Sequence, residues 1–199
     1  MRQPLVSCVL AALVPFALHA QEASGTVRVR IETDAGVIVA DIDSAHAPRT
    51  AANFLRYVRE GRYDNGAFYR VVTRTNQPRD SIRIEVIQGG IDRDGSKRLP
   101  AIEHETTLDT GIRHEDGTLS MARSRPGSAS SEFFIVVGAQ PSLDFGGLRN
   151  PDGQGFATFG RVIEGMDVVR RIQAMPADSA PPQRLKVIIR IIRASVLAR

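Results

Sequence analysis

Val27-Arg28-Val29-Arg30-Ile31-Glu32-Thr33 alternates apolar and polar side chains without a break. Only an extended chain with one face buried makes use of such a period, so this segment predicts a half-buried strand. Asp34-Ala35-Gly36 supplies turn residues, and Val37 to Ile42 reads as the returning strand of a hairpin. Further short runs follow: Phe68 to Thr73, Ile84 to Ile87 (stopping at Gly89-Gly90), Leu119 to Ala122, Phe133 to Val137, Thr158 to Val162 and Leu185 to Ile192. The last has apolar residues on both faces and so predicts a centrally buried strand. Two segments change to a helical period. Pro48 opens one that runs to Arg59, with Ala51, Phe54, Leu55 and Val58 on one face and Gly61 ending it. Met166 to Ala174 is the other, with Met166, Val169 and Ile172 inward. Residues 91–117 read as a long polar loop with turns at Asp94-Gly95 and Asp116-Gly117. Seven or eight strands and two helices in one block, without repeat or linker, predict a mainly-β domain: a closed antiparallel barrel with capped ends.

The first twenty residues differ in kind. Arg2 precedes an apolar stretch from Leu5 to Leu18, and His19-Ala20 leads into a polar segment. This is the layout of a secretory signal peptide, too short in its apolar part for the ~20 residues of a membrane span. The expected organisation is a signal peptide over 1–20 and one domain over 21–199, periplasmic or secreted, with no stable membrane insertion after cleavage. Cys8 is the only cysteine and lies in the removed segment, which leaves a thiol-free mature chain suited to an oxidising compartment. The formal net charge is +4, and its arginines are scattered rather than gathered in a stripe. With no tryptophan, this argues against a nucleic-acid partner.

Phosphate loops and the nucleophile elbow have no matching motif. His104-Glu105 does not extend to H-E-x-x-H, and Glu103-His104-Glu105 and His114-Glu115-Asp116 read as solvated loop charge. Asp92-Arg93-Asp94-Gly95 resembles the start of a calcium loop, but Lys97 and Arg98 occupy the next stretch, Lys97 where such a loop requires glycine. No spacing singles out a Ser-His-acid set. The expectation is a protein with no metal and no cofactor.

Five short blocks, in order, carry the positive signal: Phe68-Tyr69-Arg70-Val71-Val72, Gln88-Gly89-Gly90, Gly117 to Arg123, Glu132-Phe133-Phe134-Ile135, and Phe159 to Val169. Together they resemble a cyclophilin-type peptidyl-prolyl isomerase, of a bacterial and exported kind, from Val27 to about Ser195. The resemblance implies an eight-stranded barrel with two capping helices, and makes Arg70 the catalytic residue. It implies that Phe134 floors a proline pocket, that Leu143 and Phe156 wall it, and that Gln88 supports the arginine. Val86 takes an apolar place in the same pocket, Ala122 and Arg123 lie where extended peptide pairs, and Glu132 belongs to the substrate-binding set. The chemistry explains the arginine. Amide resonance opposes rotation with a barrier of ~18–20 kcal/mol. As the bond twists, the prolyl nitrogen regains its lone pair, and a guanidinium can donate to it only then.

Departures from the family pattern shape the alternatives. Tyr69 stands for a common histidine, Ser142 for a tryptophan, Phe156 for histidine or tyrosine, and Glu132 for glutamine. Direct pairing of Glu132 with Arg70 would divert the guanidinium. Arg70 and Gln88 are 18 residues apart, a longer interval than the family's usual one. Glu85 takes the place of a pocket phenylalanine, so that wall is missing or comes from Ile82, Ile84 or elsewhere. The leading expectation is a monomeric isomerase acting on proline-containing segments of exported proteins. The alternative is a cyclophilin-like peptide-binding or chaperone module with weak or no catalysis. A hydrolase on a similar barrel is a third reading.

Overall fold

The computed structural model describes residues 25–91, 95–179 and 182–198. The expected signal peptide, Cys8 and the Asp92-Arg93-Asp94 turn lie outside the described residues. The strands are β1 (Thr26–Thr33), β2 (Gly36–Asp43), β3 (Ala67–Val72), β4 (Val86–Gly90), β5 (Thr118–Met121), β6 (Phe133–Val136), β7 (Ala157–Glu164), β8 (Ala177–Ser179) and β9 (Pro182–Val196). All pairings are antiparallel, in the order β1-β2-β7-β5-β6-β4-β3-β9, and β1 pairs with β9 to close the ring. The result is the expected eight-stranded closed barrel, with β8 added as a short hairpin arm on β9.

Helix α1 (Pro48–Arg59) presents Ala51, Phe54, Leu55 and Val58 to the barrel, as its period requires. Phe54 enters an aromatic cluster with Tyr63, Phe133 and Phe159, at centroid separations of 4.9–5.3 Å. Its first turn has no side-chain cap of its own. Glu105 supplies one from afar, accepting from Arg49 N, Thr50 N and Thr50 Oγ1 at 3.1, 2.7 and 2.6 Å. A carboxylate satisfies the free amides of a helix start and favours the positive end of its dipole. Helix α3 (Met166–Gln173) buries Val168, Val169 and Ile172, with Met166 packed at the margin.

Several expectations are corrected here. Glu105 is buried, so it is a helix cap rather than solvated loop charge. The 91–117 segment contains a one-turn helix α2 (Thr107–Thr110), opened by a capping box between Thr106 and Asp109. Strand β4 does not stop at Gly89-Gly90 but runs through both. A Cβ on Gly89 would lie 2.6 Å from the Ala67 carbonyl oxygen, and one on Gly90 would collide with the Glu132 carboxylate. Glycine here permits close crossing of neighbouring strands rather than ending one. Strand β9 is central by hydrogen bonding yet covered on one face only. Leu185, Ile189 and Ile191 are buried, whereas Val187, Ile188 and Ile192 face solvent.

Candidate active site

Strand alternation separates two apolar clusters. Phe68, Val71, Ile87, Leu119, Met121, Phe133 and Ile135 point into the barrel. Val72, Ile84, Val86, Phe134, Val136 and Leu143 form a second cluster on the outside of the wall, with Ala122 and Phe156 at its edge. Adjacent strand residues face opposite sides, so Phe133 is core and Phe134 is not. The outer cluster opens as a pocket of about 140 Å³ lined by Arg70, Ile84, Val86, Gln88, Ala122, Arg123, Phe134, Leu143 and Phe156. Small-molecule sites run to roughly 300–1,000 Å³, so this one suits a single ring-sized side chain.

Arg70 reaches the outside because of a bulge. Phe68 pairs with Gly89 and Arg70 with Gln88, which leaves Tyr69 as an extra residue. Under strict alternation Phe68 and Arg70 would share a face; the bulge turns one in and the other out. Arg70 Nη1 donates to Gln88 Oε1 at 2.6 Å. Its Nε and Nη2 both donate to Gln183 Oε1, at 3.0 and 2.5 Å. One N–H on each terminal nitrogen is left without a partner among the described residues. Burial pushes the guanidinium below its usual range, and it remains a cation at neutral pH.

Glu132 does not pair with Arg70 and does not line the pocket. It lies behind Tyr69, whose hydroxyl donates to Glu132 Oε2 at 2.6 Å. Gln88 Nε2 donates to the Tyr69 oxygen at 3.0 Å, so the chain Glu132–Tyr69–Gln88–Arg70 is continuous. Burial raises the Glu132 carboxyl and, with Glu132 beside it, raises the Tyr69 hydroxyl further. A hydroxyl that gives its hydrogen to Glu132 has only acceptor capacity for Gln88. The amide is therefore fixed with its oxygen toward Arg70.

The wall opposite is apolar. Phe134 meets Phe156 edge to face at 5.2 Å. Phe156 lies 5.2 Å from the Arg123 guanidinium. Arg123 grips Asp152 with both terminal nitrogens, at 2.7 and 2.9 Å, and donates to the Gly155 carbonyl. That pair, together with the Gln154 amide, holds the Asp152 carboxyl at about 2. Arg123 thus shapes the pocket by fixing the 152–156 loop. Leu143 comes from a 3-10 turn, Pro141–Leu143. Glu85 points away, pairing with Arg74 at 3.1 Å, and Ile84 fills the wall instead. Ile84, Val86 and Gln88 sit at i, i+2 and i+4, the period that places one face of a strand. Gln77 pins this arrangement by bonding both the amide and the carbonyl of Ile84.

Two features lie beyond the sequence reading. Gln183, 113 residues from Arg70, is in direct contact with it. Ser120, His114 and Asp144 also form a line: His114 Nδ1 to Asp144 Oδ1 is 2.7 Å, and His114 Nε2 to Ser120 Oγ is 3.0 Å. A Ser-His-Asp set is therefore assembled, and His114 is not solvated loop charge. All three are buried, with Ser120 at 0 % exposure, so a nucleophile there has no route to substrate. The imidazole lies parallel to Phe134, 6.0 Å away and 12° from coplanar. It backs the pocket floor.

Among the described residues no group of three His, Cys, Asp or Glu side chains is placed to hold a metal ion. Residues 28–196 match the family described as cyclophilin type peptidyl-prolyl cis-trans isomerase/CLD. The chain is 38% identical over 156 residues to peptidyl-prolyl cis-trans isomerase cyp18 of Streptomyces antibioticus, covering 76% of this chain and 86% of that one. It is 36% identical over 149 residues to peptidyl-prolyl cis-trans isomerase B of Escherichia coli (strain K12), covering 74% and 84%. A crystal structure of a cyclophilin type isomerase from Cryptosporidium parvum superposes with a TM-score of 0.69 at 22% identity, over 87% of this chain and 99% of that one. With the barrel, its outer pocket and these relatives taken together, the chain is an enzyme of the cyclophilin-type peptidyl-prolyl cis-trans isomerase family.

Proposed function

We propose that this protein accelerates rotation about X-Pro bonds by hydrogen bonding from Arg70 to the twisted prolyl nitrogen. The observation that carries the reading is one pocket holding both parts the reaction needs. Phe134, Val86, Ile84 and Leu143 offer an apolar seat for a pyrrolidine ring, and the Arg70 guanidinium stands at its edge with N–H groups to spare. In the planar ground state the prolyl nitrogen has no lone pair to offer, so the arginine binds the ground state weakly. At the twisted state it gains a charge-assisted bond, which is selective stabilisation without proton transfer or a covalent intermediate. A ~10⁵-fold acceleration requires ~7 kcal/mol. One such bond supplies part of that, and desolvation of the ring and anchoring of the chain on either side supply the rest.

The worry that Glu132 neutralises Arg70 does not apply to this geometry, since its carboxylate is bonded to Tyr69. One of the observations that favoured a purely binding module, beside Glu85 and the long segment between β3 and β4, is thereby removed. The N-terminal composition supports a periplasmic or secreted protein whose substrates are exported polypeptides, checked by N-terminal sequencing of the protein recovered from each cell fraction.

The direct test is exchange spectroscopy, or a protease-coupled assay, on an X-Pro peptide. Unaided isomerisation takes tens to hundreds of seconds. Catalytic amounts of protein are expected to shorten it by orders of magnitude, and equal rates with and without protein would sink the proposal.

A further inference from the structure

Gln183 has an unusual place in the fold. It stands next to the start of β9, beside the Arg70–Arg184 pairing of β3 with β9. Its backbone φ is +79°, in the left-handed region that is strained for a non-glycine residue and persists only where its surroundings impose it. Its side chain is buried, at 8 % exposure. A glycine would relieve the backbone there, so the glutamine side chain has to be accounted for by its contacts.

Building on the reading just given, we propose that Gln183 is a second positioning residue for Arg70, and that the long segment between β3 and β4 serves to orient it. Its carbonyl oxygen takes Nε and Nη2, the side edge of the guanidinium, while Gln88 takes Nη1. Held at these three donors, the plane of the fork is fixed, and the remaining N–H groups have one direction left. Both holders are amide carbonyls. A carboxylate would fix the plane equally well but would neutralise the charge that the twisted nitrogen is meant to feel. Among the described residues Arg70 makes no ion pair, so its field stays available to the pocket.

The orientation of Gln183 is itself determined. Its Nε2 donates to the Asn76 carbonyl at 3.3 Å. Arginine can only donate and a carbonyl can only accept, so the amide has a single arrangement that satisfies both. Asn76 is held in turn, with Oδ1 accepting from Thr73 N at 2.9 Å and Nδ2 donating to Val71 O at 3.0 Å. Near its start, the segment that lengthens the Arg70–Gln88 interval therefore presents a fixed carbonyl to Gln183. Gln88 is set by Tyr69 and Glu132 in the same manner, from the other side.

The experiment compares Gln183→Ala and Gln183→Glu with wild type in kcat, KM and Tm on an X-Pro peptide, and follows the Arg70 Nε–H resonance by ¹⁵N spectroscopy. Gln183→Ala is expected to lower kcat about tenfold, with KM and Tm little changed, and to move the Nε–H signal toward that of a solvent-exposed arginine with faster hydrogen exchange. Gln183→Glu keeps an acceptor toward Arg70 while losing the donor to the Asn76 carbonyl, so the Nε–H is expected to stay protected while kcat still falls at least tenfold. A purely structural role predicts the opposite split: Tm drops in Gln183→Ala, and Gln183→Glu behaves as wild type. That result overturns the proposal, as does kcat within twofold of wild type in both variants. An inactive wild type would refute the isomerase reading instead; the Nε–H protection would then still decide whether Gln183 holds the fork.

Discussion

Arg70→Lys is expected to lower kcat/KM about 100-fold, close to the loss in Arg70→Ala, although the charge is retained. A hundredfold corresponds to about 2.7 kcal/mol, the scale found when one preorganised donor is removed from an electrostatic site. The reason is geometric. Arg70 engages Gln183 through Nε and Nη2 and Gln88 through Nη1, and still has N–H groups facing the pocket. An ammonium is a point donor on a flexible stem. It would bind the two glutamine carbonyls and settle between them, recessed from the prolyl nitrogen. The apolar seat made by Phe134, Val86 and Leu143 is untouched, so KM for an X-Pro peptide should change by less than threefold and the loss should appear in kcat. Because no proton is transferred, kcat/KM of the wild type should be flat from about pH 6 to 9, a range in which arginine does not titrate. A lysine variant within threefold of wild type would remove the guanidinium from the mechanism.

Local periodicity carried the architecture. Alternation in 27–33, the 3.6-residue period in 48–59 and the order of the short apolar runs were enough to anticipate the barrel, because each strand buries one face and each helix one stripe. The pocket was legible through the family resemblance, and strand alternation agrees with it. Val86, Gln88, Ala122 and Phe134 belong to outward faces of adjacent strands, and counting back in twos from Gln88 picks Ile84 out of the alternatives for the missing wall. What the sequence hid depends on contacts far apart in the chain. Gln183 lies in a polar hairpin that looks like any connector until β9 is laid beside β3. Glu105 looks solvated until α1 is found to start without a cap. His114 and Asp144 are 30 residues apart, and only the fold of the 111–144 segment buries them together. Val187, Ile188 and Ile192 show the converse: apolar character does not tell which face has a neighbour to cover it.

The buried Ser120–His114–Asp144 line gives the second large effect, this time on stability. Asp144 can only accept when ionised, which places a hydrogen on His114 Nδ1 and leaves Nε2 to accept from Ser120. The imidazole is thus neutral. Burial outweighs the pull of Asp144 and keeps its pKa below the ordinary value; for Asp144 burial acts upward, but the His114 hydrogen bonds bring the carboxyl below its usual range. Removing the ring in His114→Ala takes one partner from the buried Asp144 carboxylate, which keeps the His114 amide at 3.0 Å and Arg113 at 3.6 Å, leaves the Ser120 hydroxyl without its side-chain partner, and opens a cavity behind Phe134. The cavity and the lost hydrogen bonds together cost about 3 kcal/mol, equivalent to a fall in Tm of roughly 10 °C for a chain of this size. The pH dependence is more specific. Since the unfolded chain takes up a proton at His114 near pH 6.5 and the native state does not, this contribution to stability is complete above about pH 6.5 and declines as pH falls below it. Asp144 adds a second decline, present above its unfolded value near 3.9 and lost as pH falls through its lower native one. Urea unfolding of wild type should therefore show the free energy falling between about pH 6.5 and 5, and His114→Ala should lose that limb and weaken the lower one, because the side-chain hydrogen bond that lowers the Asp144 carboxyl goes with the ring. The same slope in both proteins would mean that His114 is not the group responsible. With its backing gone, Phe134 should also tolerate a looser seat for proline, so KM should rise several-fold in His114→Ala under conditions where the variant is folded, while kcat, which depends on the undisturbed Arg70 fork, stays near that of the wild type.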